Sequence, residues 1–221
     1  LPYATRWPGA VQHQLGKGAV VIEAGLNGRT CASDDPQCTW LPPNPGNGEI
    51  VNGRRHLLAC LHSHKPLDVV VLALGVNDLK ERFNLSPRDI AAGMRLLVRD
   101  VRAAAAADAA SGGIGRPQIL VVSPAPPPAS PTPQMLQWGF TGAHARCVAV
   151  EREYAAVAAE EGAGVFFLSG GAATRCDGGD GSEALAIGAD GIHYTEAGHA
   201  RLGAAVVAML KGSLGLKAKE A

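Results

Sequence analysis

Four runs of consecutive apolar, largely β-branched residues recur along the chain, at 19–22, 69–74, 119–122 and 165–168. None alternates apolar with polar, which is the pattern of strands covered on both faces in a parallel sheet. Each run ends in turn formers: Gly25-Leu26-Asn27-Gly28, Gly75, Ser123-Pro124 and Ser169-Gly170-Gly171. Helical patterns lie between the runs. Ser86-Pro87-Arg88-Asp89 predicts a capped helix start with proline at the first helical position. Behind it Ile90, Met94, Leu97, Val101, Ala104 and Ala107 recur in steps of three and four, and Gly112-Gly113 predicts the stop. Further helices are expected over 141–161, closed by Gly162, and over 195–211, with Leu202, Ala205, Val206, Met209 and Leu210 on one side. This alternation with short joins predicts one doubly wound α/β sandwich of three layers, a parallel sheet with helices on both faces.

Two stretches break the pattern. Residues 31–55 are long, polar and rich in Pro and Gly, which predicts an excursion over the surface. Residues 123–140 hold six prolines and end in Met135, Leu136, Trp138 and Phe140; a stiffened loop carrying apolar side chains suits a lid, a pocket wall (Trp138 and Phe140 against substrate) or an oligomer contact. Residues 212–221 read as a frayed polar tail.

Composition narrows the function classes. The 221 residues include 20 Lys+Arg and 20 Asp+Glu, so there is no electrostatic footprint for nucleic acid or an anionic membrane surface. With 47% hydrophobic and 18% charged residues the chain can bury a core. No apolar run approaches the roughly 18 residues of a membrane span. Five cysteines, at 31, 38, 60, 147 and 176, are too few and scattered for a disulfide framework and contain no C-x-x-C pair for zinc. Cys31 and Cys38 bracket a loop that a disulfide could close, or they are free thiols. A cytoplasmic location is expected, although the chain opens on Leu1 and a leader ahead of it could not be recognised here.

In an open parallel sheet the chemistry belongs at the carboxyl ends of the strands. Three segments there carry suitable side chains. Asp190-Gly191-Ile192-His193 precedes the last helix: a His is the usual base near neutral pH, and an Asp three residues earlier on a tight turn can hold its Nδ1. Alone, the same residues would be an ordinary turn. Gly75-Val76-Asn77-Asp78 follows the most apolar run, and the Asn77 amide could meet an oxyanion; Asp78 is expected to be a structural cap. Gly25-Leu26-Asn27-Gly28-Arg29-Thr30 could bring the Gly28 N–H close to a reacting oxygen, since no side chain intervenes. His62 and His64, near His56, form no set with a third metal ligand placed by a regular element, and the Gly170-Gly171 and Gly178-Gly179 pairs lack the strand-to-helix setting of a phosphate loop.

Taken together and in this order, the glycine loop, the G-x-N-D and the late D-x-x-H resemble the SGNH (GDSL-type) hydrolases, closest to the small bacterial arylesterase/acyltransferase group. Arg6-Trp7-Pro8-Gly9, Asp34-Asp35-Pro36, His64-Lys65-Pro66-Leu67-Asp68 and Val121-Val122-Ser123-Pro124 extend the likeness from Arg6 to about Lys211. The resemblance implies a flavodoxin-like sheet and a serine esterase for short-chain or aryl esters, with no metal or cofactor, often a homo-oligomer. It implies His193 as base, Asp190 as its orienting partner, and Gly28 and Asn77 as oxyanion donors. Acyl transfer or perhydrolysis, or a binding module without catalysis, are the alternatives. The family's nucleophile sits in a Gly-Asp-Ser block at the tip of the first strand, and no Gly-Asp-Ser occurs in this chain. The expectation is therefore a domain over 1–221 whose first strand and serine come from a segment upstream of Leu1. Ser123 and Ser169 lie at the correct edge but lack the strand-turn-helix setting that exposes a nucleophile.

Overall fold

Three of the four apolar runs become strands: β1 (Val69–Leu72), β2 (Gln118–Val122) and β3 (Val165–Leu168), all parallel and in that order. Their register pairs Val70 with Ile119 and Leu120 with Phe166. The computed structural model describes residues 1–38, 40, 47–107, 113–177 and 183–215. Around the sheet lie α1 (Trp7–Leu15), α2 (Asn47–Ile50), α3 (Gly53–Ser63), α4 (Pro87–Ala107), α5 (Pro133–Gln137), α6 (Ala143–Glu161), α7 (Gly170–Thr174) and α8 (Glu196–Lys211). A small antiparallel pair, β4 (Arg175–Asp177) with β5 (Glu183–Leu185), stands apart. Among the described residues no helix is long and apolar enough to cross a membrane.

Side chains alternate across a strand, so β2 feeds two cores. Ile119 and Val121 pack with α4 and α6, while Leu120 and Val122 pack with α1 and α8. The α4 stripe is buried at Ile90, Met94, Leu97, Val101 and Ala104, but Ala107 at its end is exposed. The helix begins as its sequence predicts: Ser86 N–H donates to Asp89 Oδ2 at 2.9 Å, and Asp89 N–H returns a bond to Ser86 Oγ at 3.2 Å. Glu161 at the end of α6 accepts from Arg99 (2.8 Å) and Arg102 (3.2 Å) of α4, joining the two helices on that face.

The run at 19–22 departs from expectation. It is unpaired, with Val20 84% and Ile22 44% exposed. Its backbone partner comes from α1 instead: the Gln12 amide donates to Ala19 O at 2.9 Å and accepts from Val21 N at 2.7 Å; just beyond the run, the Glu23 side chain pairs with Arg6 at 2.9 Å. Between this segment and β1 runs a trough of about 1550 Å³. Val11 and Leu210 close it on one side of the sheet plane, and Leu57 and Leu61 on the other.

Residues 31–55 are also more than a surface excursion. Cys31, Asp35 and Val51 are fully buried. Thr30 N–H donates to Val51 O and Asp35 N–H to Gly48 O, both at 2.9 Å. Asn52 caps α3 through Arg54 and Arg55 while its amide reaches Ala32 O and Asp34. Apart from the local cap, these bonds join residues 13 to 21 apart, which a local reading of Pro and Gly cannot see. Cys31 and Cys38 are separate buried thiols with no bridge between them. The tail departs as well: Leu214, just past α8, is buried against the α1–α8 core. Residues 216–221, Gly112 and the Gly178-Gly179 pair lie outside the described residues.

Candidate active site

The last helix is entered through a tight turn. Thr195 caps α8 by accepting from Gly198 N–H at 3.1 Å, and Ile187 bridges antiparallel to Tyr194, which closes residues 188–193 into a loop. Within it Asp190 Oδ1 accepts from the backbone N–H of Ile192 (2.8 Å) and His193 (2.9 Å), and Asp190 Oδ2 lies 2.8 Å from His193 Nδ1. One carboxylate thereby shapes the turn with one oxygen and orients the imidazole with the other. Burial alone would raise the Asp190 carboxyl, but the two backbone bonds and the imidazole together hold it below the ordinary carboxylate range. It stays ionised across neutral pH, as a group that must stabilise an imidazolium requires.

The proline-stiffened loop lies under this turn. Thr132 Oγ1 donates to Asp190 O at 2.8 Å, and Thr132 also caps α5. Gly191 has φ +81°, and a Cβ there would come within 2.5 Å of Met135 Sδ, so only glycine lets the turn sit this close to α5. Trp138 meets the His193 ring edge-on, with centroids 5.7 Å apart and planes at 83°. Phe140 takes neither expected place: at 2% exposed it belongs to the core, packed beneath the Lys80 ammonium rather than facing a pocket or an interface. The side chain that does face the imidazole is Trp138.

The other two segments meet each other. Asn77 opens a short 3₁₀ turn after β1, and its Nδ2 donates to Arg29 O at 3.2 Å, one residue past Gly28. An amide carries two N–H groups, so one remains for another acceptor. Gly28 has φ +75°, and its Cα faces the Trp40 indole nitrogen, Cys38 Sγ and Val51. Val76, beside Asn77, and Ile192 and Tyr194, beside His193, line one small cavity of about 100 Å³ at the carboxyl end of the sheet. The structure thus brings the Gly28, Asn77 and His193 segments to one rim. The trough opens on the same rim, where Gly25, Leu26 and Arg29 line it.

The two serines at the strand ends have other tasks. Ser123 is 1% exposed, and its hydroxyl accepts from Gly170 N–H at 3.1 Å. Ser169 caps α7 by accepting from Ala172 N–H at 3.0 Å. Supporting residues that sequence reasoning missed are Thr132 and Met135 under the turn, and Tyr194, whose hydroxyl accepts from Ala125 N–H at 3.3 Å. An aromatic next to the candidate base was a visible signal for Tyr194. Met135 stood out only as one of the apolar side chains ending the proline-rich loop, and Thr132 gave no signal; they are 56 and 58 residues from the turn they support.

A family model described as GDSL-like lipase/acylhydrolase matches residues 2–201. Among solved structures, the native aryl esterase of M. smegmatis is 35% identical with a TM-score of 0.79, covering 97% of this chain and 87% of that one. Est24, a carbohydrate acetylesterase from Sinorhizobium meliloti, is 32% identical with a TM-score of 0.78, covering 96% and 87%. A carbohydrate acetylesterase family member from the same organism is 30% identical with a TM-score of 0.78, covering 98% and 90%. No curated protein sequence matches the chain.

Proposed function

Since the chain belongs to the GDSL-like lipase/acylhydrolase family, we propose that it hydrolyses short-chain or aryl carboxylic esters through an acyl-enzyme, with His193 as general base and Asp190 as its orienting partner. The observation that carries this reading is the Asp190–His193 pair at 2.8 Å, set on the same rim as Gly28 and Asn77. A serine hydroxyl attacks the ester carbonyl: the Oγ–carbon bond forms as the hydroxyl proton passes to His193 Nε2, and Asp190 stabilises the imidazolium. The tetrahedral oxygen collects charge opposite the Gly28 main-chain N–H and the Asn77 side-chain amide. One such donor is typically worth about 2.7–4 kcal/mol of barrier. As the carbon–oxygen bond to the alcohol breaks, His193 returns the proton to the leaving oxygen. Water then attacks the acyl-enzyme by the same proton route in reverse and frees the serine.

The serine is assigned to a segment that lies in the trough as a further strand between residues 19–24 and β1. Support comes from the trough itself. Its volume exceeds the roughly 300–1,000 Å³ of small-molecule pockets. One flank is the strand β1 and the other is residues 19–24, which belong to no helix or strand, and its walls on either side of the sheet plane are apolar. Arg29 Nε and Gln118 Oε1, a buried donor and a buried acceptor without partners among the described residues, both line it. A polypeptide backbone in parallel orientation would offer bonds to both flanks and end at the rim beside His193. Trp138 against His193, and the aryl esterase and carbohydrate acetylesterases among the similar structures, support compact acyl groups on aryl or sugar alcohols.

The test is turnover of 4-nitrophenyl acetate combined with labelling by a serine-directed fluorophosphonate. The expected result is turnover and labelling that His193→Ala abolishes while the fold persists, with the label on a serine that is not among these 221 residues. Wild-type turnover in His193→Ala, or a label on Ser123 or Ser169, would defeat the reading.

A further inference from the structure

Asp78 follows Asn77 but points inward, only 2% exposed. Both of its carboxylate oxygens lie 3.0 Å from the Cys31 backbone nitrogen. With the Asn77–Arg29 bond, the 28–31 segment and the 77–78 turn are pinned together at two successive points, through pairs 47 and 48 residues apart in sequence. Tyr154 of α6 braces the same turn. Its hydroxyl donates to Leu74 O at 3.2 Å, lies 3.3 Å from Cys31 Sγ, and stands 2.5 Å from where a Cβ on Gly75 would be, at a residue with φ +119°. The phenol thus occupies space that only glycine leaves open.

We infer that Asp78 is a positioning residue: it holds the Gly28 amide and the Asn77 amide in register as one paired oxyanion site, with Tyr154 fixing the turn from behind. This rests on the assignment of Gly28 and Asn77 given above. Neither Asp78 nor Tyr154 touches the reacting atoms; each acts through the backbone it holds. Oxyanion stabilisation depends on donors being in place before charge develops, so two loops that drift independently would forfeit it. A carboxylate accepting a buried N–H makes a stronger bond than a neutral acceptor, which suits a joint between two loops.

The clasp has its own titration. Burial pushes the Asp78 carboxyl up to about 6, against the pull of the Cys31 backbone bond and the Lys80 ammonium. Of the other groups facing it, burial raises both the Cys31 thiol and the Tyr154 phenol, which keeps them neutral there, and burial lowers the Lys80 ammonium from the ordinary lysine value. Protonation of Asp78 below about pH 6 therefore converts the charge-assisted bond into a weaker one.

Proton–nitrogen correlation NMR on the whole chain reads this directly. The Cys31 and Gly28 backbone amides and the Asn77 side-chain amide are expected to titrate together with a midpoint near pH 6, and to lose that titration in Asp78→Asn. In turnover of 4-nitrophenyl acetate, Asp78→Asn is expected to lower kcat by tenfold to about a hundredfold with KM within about twofold, the scale of an ångström's misplacement. Gly28 and Asn77 resonances that ignore pH in the wild-type protein, or an unchanged kcat in the variant, overturn the inference; the wild-type titration decides it should the variant fail to fold. A shared titration in a protein without turnover would sink the esterase reading and leave the clasp standing.

Discussion

Asp190 and Asp78 are the same residue type at opposite settings, and the difference shows what environment does to a carboxylate. Asp190 receives two backbone N–H groups and an imidazole and is held charged; Asp78 is enclosed and is pushed up to about 6. The second setting has a consequence for stability. The folded pKa lies above the ordinary 3.8, so the folded state holds the proton more tightly than the unfolded chain. Stability from this group is then fully present below about pH 3.8 and falls as pH rises through about 6, by on the order of 3 kcal/mol. Urea midpoints between pH 4 and 7.5 should decline with this component in the wild type and lose it in Asp78→Asn. Only part of this was legible in the sequence. The Asp190–His193 pairing is a contact across three residues, and a D-x-x-H on a turn announces it. The Asp78 bond to Cys31 spans 47 positions, so sequence could suggest a cap for Asp78 but not which backbone it holds. Phe140 was misplaced for a related reason: an aromatic at the end of a proline-rich loop looks available to a pocket or partner until the fold closes over it.

At the level of elements, local chemistry carried furthest where both partners lie within one turn. The Ser86/Asp89 capping box sets the start of α4, and Ser86→Ala should cost about 1 kcal/mol in chemical denaturation with esterase rates unchanged, since the box lies outside the candidate site. A loss well under 0.5 kcal/mol would mean that α4 is fixed by its packing on α6 alone. Thr195 at the start of α8 worked the same way, and most of each stripe is packed in a core: Ile90 to Ala104 of α4 in one, and Leu202, Val206, Met209 and Leu210 of α8 in the other. The run at 19–22 shows where such reading stops. Its residues have the strand pattern, but a strand is a relation between two backbones, and here the backbone groups of Ala19 and Val21 are bonded to Gln12. Likewise, Pro and Gly in 31–55 mark irregular backbone correctly, yet irregular backbone can still be buried when Asn52 and Val51 supply its bonds.

For the molecule as a whole, β2 is paired on both sides, while β1 and β3 are the edges of the sheet and β1 faces the trough. A synthetic apolar peptide of about six residues, a usual strand length, ending in serine should enter there and raise the melting temperature in a saturable way, whereas a charged scrambled peptide should not; equal shifts from both would show that the trough does not select a strand. The family and the α/β architecture were legible across nearly the whole chain because short motifs recur in fixed order at the sheet rim. What local patterns could not show is how the apolar faces are shared out in space. That sharing has one more effect. An edge strand with unpaired amides and carbonyls, beside Val20 and Ile22 turned to solvent, is a template for the same edge on another copy. Two such chains meeting edge to edge would make the same contact in both directions, so the pair would close as a two-fold dimer and occupy the trough edge of each copy.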